Sequence, residues 1–231
     1  MTIQDLYDRF LITKNLQTHQ LRTAALGQVI VEDWIGPQIN IQDVVFTLLI
    51  HDMGNLVKFN LDTPDSKKWM AGEKESLDFW KKIQKKYQQK YGKRADQANV
   101  KIAREINCPN KIIDFLEHHE WQDLPAAIET KQWEHQIVFY GDVRIRPQGL
   151  TSLADRILDL KNRYQDRDPN WHKPEYYQEL VNISQTLEAS LDQQTQQALS
   201  QIPVEKIEQK AEQLRSFPLP EFVNLPTENI F

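Results

Sequence analysis

The chain has 231 residues, with 28 Lys and Arg against 33 Asp and Glu, six His and one Cys, for a net charge of −5. At roughly 100–200 residues per domain this is one large domain, or one domain with an appendage, and it is long enough to bury a sizeable core. The single Cys108 excludes a disulfide framework and a CxxC zinc site, the acidic balance argues against coating nucleic acid or binding duplex DNA, and the low glycine count of 7 disfavours a turn-rich β-sandwich or a glycine-loop nucleotide fold.

Period-3.6 patterning runs almost throughout and period-2 alternation is almost absent, which predicts an all-α fold. In chain order the predicted helices span 3–12, 16–35, 41–58, 74–91, 95–106, 110–121, 130–142, 150–164, 174–199 and 203–216. The first lies in MTIQDLYDRF, where Asp5 and Asp8 replace the basic-then-apolar order of a signal peptide. The third holds the longest apolar stretch, Val44 to Ile50, which Thr47 interrupts and which is far shorter than the roughly 20 residues a bilayer span needs. A globular cytoplasmic protein with no membrane partner is therefore expected. Breakers separate the helices at Gly36-Pro37, Thr63-Pro64, Gly92, Cys108-Pro109, Leu124-Pro125, Pro147 with Gly149, and Asp168-Pro169. Asn40, Asp65 and Thr151 are candidate helix caps. Residues 1–165 read as a helical bundle and 166–231 as a C-terminal helical extension packed on it, connected through QDRDPNWHKP. The Gln-rich stretch 185–201 keeps the periodic Ile183, Leu187, Leu191 and Leu199, so it is predicted helical. The tail from Pro218, with Pro220 and Pro226, is expected to lie over the surface without regular structure.

Chemistry concentrates first at His51-Asp52, inside the most apolar predicted helix, VVFTLLIHDMGNLVKF. Val45, Leu48, Asp52 and Phe59 share one stripe, with Val44, Leu48 and His51 on its neighbour. A buried ionised carboxylate without a partner costs several kcal/mol, so this pair needs a compensating charge. A core hydrogen-bond network and a divalent cation satisfy that need equally well on these two residues alone. His19 shifts the balance: His19, Thr23, Leu26 and Ile30 follow i, i+4, i+7, i+11, which turns the histidine inward on a second helix. A third helix ends in Asp142, with His135, Val138 and Asp142 on one face. Two imidazoles and two carboxylates from three helices make a mixed N/O set with open positions, suited to Mn²⁺, Fe, Ni, Co or Mg²⁺ rather than to a closed structural zinc site.

The ordered set His19, then His51-Asp52 in HDMGN, then Asp142 in FYGD resembles the signature of the HD-domain superfamily of metal-dependent phosphohydrolases. The resemblance spans roughly residues 10–165 and implies an HD-type helical bundle, a divalent metal held by those four residues, and hydrolysis of a phosphate ester by a metal-activated water. HDMGN follows the family's HD-x-G continuation, while Asn55 stands where a Lys often follows, so Lys58 is the candidate to take over that cationic role. The resemblance also implies that Asp52 both ligates the metal and orients or deprotonates the water. Asp155, in SLADRILDL, competes to close the motif; Asp142 is preferred because Asp155 opens a helix whose Arg156, Asp159 and Lys161 form an ordinary charged face.

Some branches of the superfamily bind a second metal through additional histidines. Here Asp96, His118 and His119 are the candidates for a second metal or a phosphate contact, with Asp96 standing where a histidine would fall. Arg22, Arg144 and Arg146 flank the motif and are candidate phosphate ligands. The lysines of 81–90 face away from an apolar stripe of Trp80, Ile83, Tyr87 and Tyr91 and read as a solvated face. The expected substrate is a small phosphate ester, most simply a nucleotide-sized monoester, and a homodimer is compatible with the sequence. Two other readings stay open: a non-catalytic HD-type nucleotide-sensing or scaffold module, and a di-iron HD-type oxygenase, which would need the complete second site.

Overall fold

The structure, a computed structural model, describes residues 1–63, 66, 70–166 and 168–225. The candidate cap Asp65, the breaker at Pro64 and the tail from Pro226 lie outside the described residues. The described chain is mostly helical, with eleven α-helices and a single two-stranded hairpin. None of these helices is long and apolar enough to cross a membrane.

Helix α1 (Ile3–Arg9) starts at a capping box between Thr2 and Asp5 and buries Ile3, Leu6 and Tyr7. Helix α2 (Lys14–Glu32) is the central element, packed against α3 (Ile41–Ile50), α8 (Trp133–Val143) and α11 (Val204–Leu214). Asn40 caps α3, its side-chain oxygen accepting from the Gln42 and Asp43 N–H groups. The packing of α2, α3 and α8 is close because two glycines admit one leucine. A Cβ on Gly27 of α2 would lie 2.4 Å from Leu48 Cδ1, and one on Gly141 of α8 would lie 3.1 Å from the same atom. Leu48 thus fills the space both glycines leave, and the three backbones converge at one end of the bundle.

Around this centre stand α4 (Leu77–Tyr91), α5 (Ala95–Glu105), α6 (Asn110–Glu117), α7 (Leu124–Glu129), α9 (Leu153–Tyr164) and α10 (Pro174–Asp192). The C-terminal segment shares the main core: Leu187, Leu191, Leu199, Ile207, Leu214 and Val223 pack into it with the residues of α1–α3. A smaller cluster of Ile157, Trp171 and Leu180 joins α9 to α10. The N-terminal residues meet the segment after α11, the Ile3 N–H donating to the Phe217 carbonyl at 2.9 Å and the Leu219 N–H to the Met1 carbonyl at 3.1 Å. The tail through 225 has no regular structure, yet it is anchored: Phe222 packs edge-on against Phe46 at 5.6 Å and Val223 is buried.

Several local expectations are corrected. The third predicted helix stops at Ile50, and the chain turns at 51–54 before a 3₁₀ turn at Asn55–Lys58. Leu124-Pro125 does not break structure but opens α7, since proline in the first turn lacks only an N–H that the helix would not use. Pro147 and Gly149 belong to a hairpin, β1 (Ile145–Arg146) with β2 (Gly149–Leu150), where Gly149 has a φ of +115°. Ser152, not Thr151, caps α9, its hydroxyl accepting from the Asp155 N–H. Helix α10 ends at Asp192 rather than 199, because Thr195 and Gln196 turn to bond the segment after α2.

Candidate metal centre

Three of the helices that Leu48 draws together each deliver a side chain to the same end. His19 comes from the first turns of α2, His51 caps α3, Asp52 follows in the turn, and Asp142 sits in the last turn of α8. His19 Nε2 lies 3.0 Å from Asp142 Oδ1 and 3.5 Å from Asp52 Oδ2. His51 Nε2 lies 3.4 Å from Asp142 Oδ1 and 3.8 Å from Asp52 Oδ2. The two imidazole rings are 5.3 Å apart. Ligand atoms of His19, His51 and Asp52 are all within 4.8 Å of one another, as a shared cation requires.

The turn that presents Asp52 is held from several sides. The Gln20 side-chain oxygen accepts from the Asp52 N–H at 3.3 Å, and Tyr7 donates to the Leu49 carbonyl at 2.6 Å. The Gly54 N–H donates to Asn99 Oδ1 at 2.6 Å, while Gln84 and Gln88 of α4 donate to the carbonyls of Leu56, Phe59 and Val57. Lys58 is thereby fixed at the exposed end of the 3₁₀ turn, within electrostatic reach of Asp52.

His51 is the most constrained member of the cluster. Its Nδ1 donates to the Leu48 carbonyl at 2.8 Å, which leaves the Nε2 lone pair directed into the cluster. That Nε2 is buried and makes no hydrogen bond of good geometry among the described residues. Burial alone would depress the imidazole pKa, but Asp52 and Asp142 beside it prevail and raise it to about 9. Burial would likewise raise Asp142, yet the neighbouring charge of His51 and the hydrogen bonds from His119 and His19 hold it well below the usual carboxylate range. Asp52 is lowered too: burial opposes the shift, and His51, Lys58 and His19 outweigh it. The centre stays accessible, with the side chains of His19, Asp52 and Asp142 exposed by 17, 20 and 21%.

Of the remaining candidates, His119 joins the cluster, its Nε2 3.4 Å from Asp142 Oδ2. His118 does not: it is exposed and turned back onto Asp114 of α6. Asp96 is paired with Arg94 at 2.7 Å instead of facing the histidines. Arg144 is corrected outright. It is buried, donating to the Thr151 carbonyl and to Tyr140, and it pairs with Glu188 of α10 at 3.0 Å. Arg22 is engaged by Glu208 of α11 at 2.8 Å. Arg146 lies half-buried in the hairpin, its Nε buried without a hydrogen-bond partner among the described residues. Asp155 is exposed and bonded to Ser152, away from the cluster.

Sequence reasoning missed Gln20, whose role rests on a backbone contact 32 residues away, and Glu120 at the rim. Burial raises the Glu120 carboxyl, with His119, Asp96, Asp123 and Lys58 all close enough to act on it. His135 shares the helix with Asp142 but serves a different group, its Nε2 bonding the His118 carbonyl. No protein-family model matches the chain, and neither a curated protein nor a solved structure matches it.

Proposed function

We propose that this chain is a metal-dependent phosphohydrolase of HD type that cleaves a small phosphate ester, with a nucleotide-sized monoester as the simplest substrate. The observation that carries the reading is that ligating atoms of His19, His51 and Asp52 lie within 4.8 Å of one another, with Asp142 Oδ1 set 3.0 Å from His19 Nε2 and 3.4 Å from His51 Nε2. A divalent cation fits this donor set. The buried, unbonded His51 Nε2 is an orphan that a cation would satisfy, and two carboxylates would balance a 2+ charge. A set of two imidazoles and two carboxylates suits Mn²⁺, Fe, Co²⁺, Ni²⁺ or Mg²⁺.

The chemistry a cation supplies at such a centre is Lewis acidity toward a phosphoryl oxygen and a lowered pKa for a coordinated water. The chain's own groups do the rest. Asp52 faces both histidines through Oδ2, which leaves its other oxygen to orient the attacking water and take its proton. Lys58, exposed on the same rim, neutralises charge that builds on the phosphoryl oxygens. Gln20 and Asn99 keep the turn carrying Asp52 in place through the reaction.

The test is metal analysis of purified protein, followed by p-nitrophenyl phosphate and a nucleotide panel assayed with Mn²⁺, Co²⁺, Ni²⁺ and Mg²⁺. Stoichiometric metal with turnover that disappears in Asp52→Ala is the expected result. Activity retained in a metal-replete Asp52→Ala protein would sink the assignment of roles. Bound metal without turnover on any of these esters would favour the non-catalytic module.

A further inference from the structure

We infer that His119 is a positioning residue for Asp142, and that it fixes which carboxylate oxygen the metal centre uses. The inference rests on the metal-centre reading above. The two oxygens of Asp142 face different groups: Oδ1 lies 3.0 Å from His19 Nε2 and 3.4 Å from His51 Nε2, whereas Oδ2 lies 3.4 Å from His119 Nε2. Each oxygen is therefore committed before any cation arrives. Among the described residues, His119 is the side chain that engages Oδ2.

The His119 ring is held for this task. It lies between Phe139, 5.4 Å away on the same helix as Asp142, and His51 at 5.9 Å. Its Nδ1 is buried and has no partner among the described residues, so the proton belongs on Nε2, where it meets Oδ2. The loop that bears it is clamped one peptide earlier, where His135 Nε2 donates to the His118 carbonyl. His135 stands two turns before Asp142 on α8, and burial pushes its pKa down. The helix that carries the carboxylate thus also carries the clamp that returns His119 to it. Outer groups that orient a metal ligand in this way commonly contribute 10–100-fold to affinity.

The experiment is Co²⁺ titration of the wild-type protein and of His119→Ala, His119→Gln and His118→Ala, with affinity from chelator competition and the visible absorption of bound Co²⁺ recorded. Thermal unfolding of each metal-free protein accompanies it. The expected result is a loss of about 10–100-fold in Co²⁺ affinity for His119→Ala, with a weaker visible band as the freed second oxygen of Asp142 enters the coordination. The amide N–H of His119→Gln restores most of the affinity and the wild-type band, and His118→Ala behaves as wild type. Should His119→Ala not fold, His119→Gln against His119→Met, similar in volume, carries the same comparison. Unchanged affinity and spectrum on removal of the ring, or a glutamine no better than alanine or methionine, overturns the positioning role while leaving the metal centre intact. A wild-type protein that takes up no Co²⁺ overturns the metal centre itself, and this inference with it.

Discussion

Gly54 lies directly against the backbone of Asn99. Its N–H donates to Asn99 Oδ1 at 2.6 Å, and a Cβ built on Gly54 would sit 2.7 Å from the Asn99 nitrogen and 2.8 Å from the Ala98 carbonyl carbon. Two residues after Asp52, the turn is pressed onto α5 so closely that no larger residue fits. The neighbouring atoms are the α5 backbone and the Ala98 Cβ fixed to it, none of which can swing aside, so Gly54→Ala must displace either the turn or α5. A destabilisation of about 3 kcal/mol, at the upper end for overpacking, is expected by chemical denaturation, together with weakened metal uptake. A denaturation midpoint within error of wild type would show that the contact is not obligatory.

The competing aspartates separate cleanly. Asp142 lies among three histidines, and Asp155 is exposed with its carboxylate on the Ser152 hydroxyl at 2.7 Å. Asp142→Ala is expected to abolish stoichiometric metal. Asp155→Ala is expected to keep it and to shift stability by only about 0.5 kcal/mol, as surface substitutions do. Metal analysis of the two purified variants decides the matter.

The cluster was legible because its members obey helical spacing and a fixed order. His19 and Asp142 face inward by periodicity, and His51-Asp52 stand out as charge in an apolar run. The end of α3 was not legible. Nothing between Ile50 and Gly54 breaks a helix locally, and the turn is imposed by Gln20 and Asn99 from distant helices. Proline misled twice, at Pro125, where it starts α7, and at Pro147, where it lies in a hairpin whose strands are two residues each. Arg144 follows Asp142 by two residues, which in sequence suggests a phosphate ligand, but its partner Glu188 is 44 residues away. His119 shows the converse: its contact with Asp142 spans 23 residues, and the His-His pair alone did not tell which ring turns inward.

Arg144 has a structural task that is separable from chemistry. It is buried and pairs with Glu188, which also accepts from Tyr140 at 2.6 Å. Removing one member of a buried pair leaves an uncompensated charge and typically costs about 3–5 kcal/mol. Arg144→Met is expected to fall at the low end of that range, because Glu188 is partly exposed and can regain water. Adding Glu188→Gln should recover part of the loss, a coupling that a double-mutant cycle measures. The KM for a phosphate ester should not change in the folded variant, and a large rise would return Arg144 to the phosphate site.

Proton and cation compete for the same lone pair at His51. In the metal-free protein burial opposes the charged ring, but Asp52 and Asp142 prevail and raise its pKa from 6.5 to about 9. A folded value above the unfolded one favours the native state at low pH: that stabilisation is fully present below pH 6.5 and is lost as the pH rises through about 9. Asp142 works in the opposite sense, since its depressed value contributes stability that is present above pH 3.8 and lost as the pH falls through the folded value. The cluster therefore stabilises the metal-free protein most between those limits. Cation binding must displace the His51 proton, so apparent affinity should rise by about tenfold per pH unit below pH 9 and level off above it. Thermal unfolding from pH 5 to 9.5, with and without Mn²⁺, checks both statements. The metal-free midpoint should decline toward the alkaline end, while the gain from Mn²⁺ grows with pH as the logarithm of the affinity. A gain from Mn²⁺ that stays constant across that range would mean that no proton leaves His51 when the cation binds.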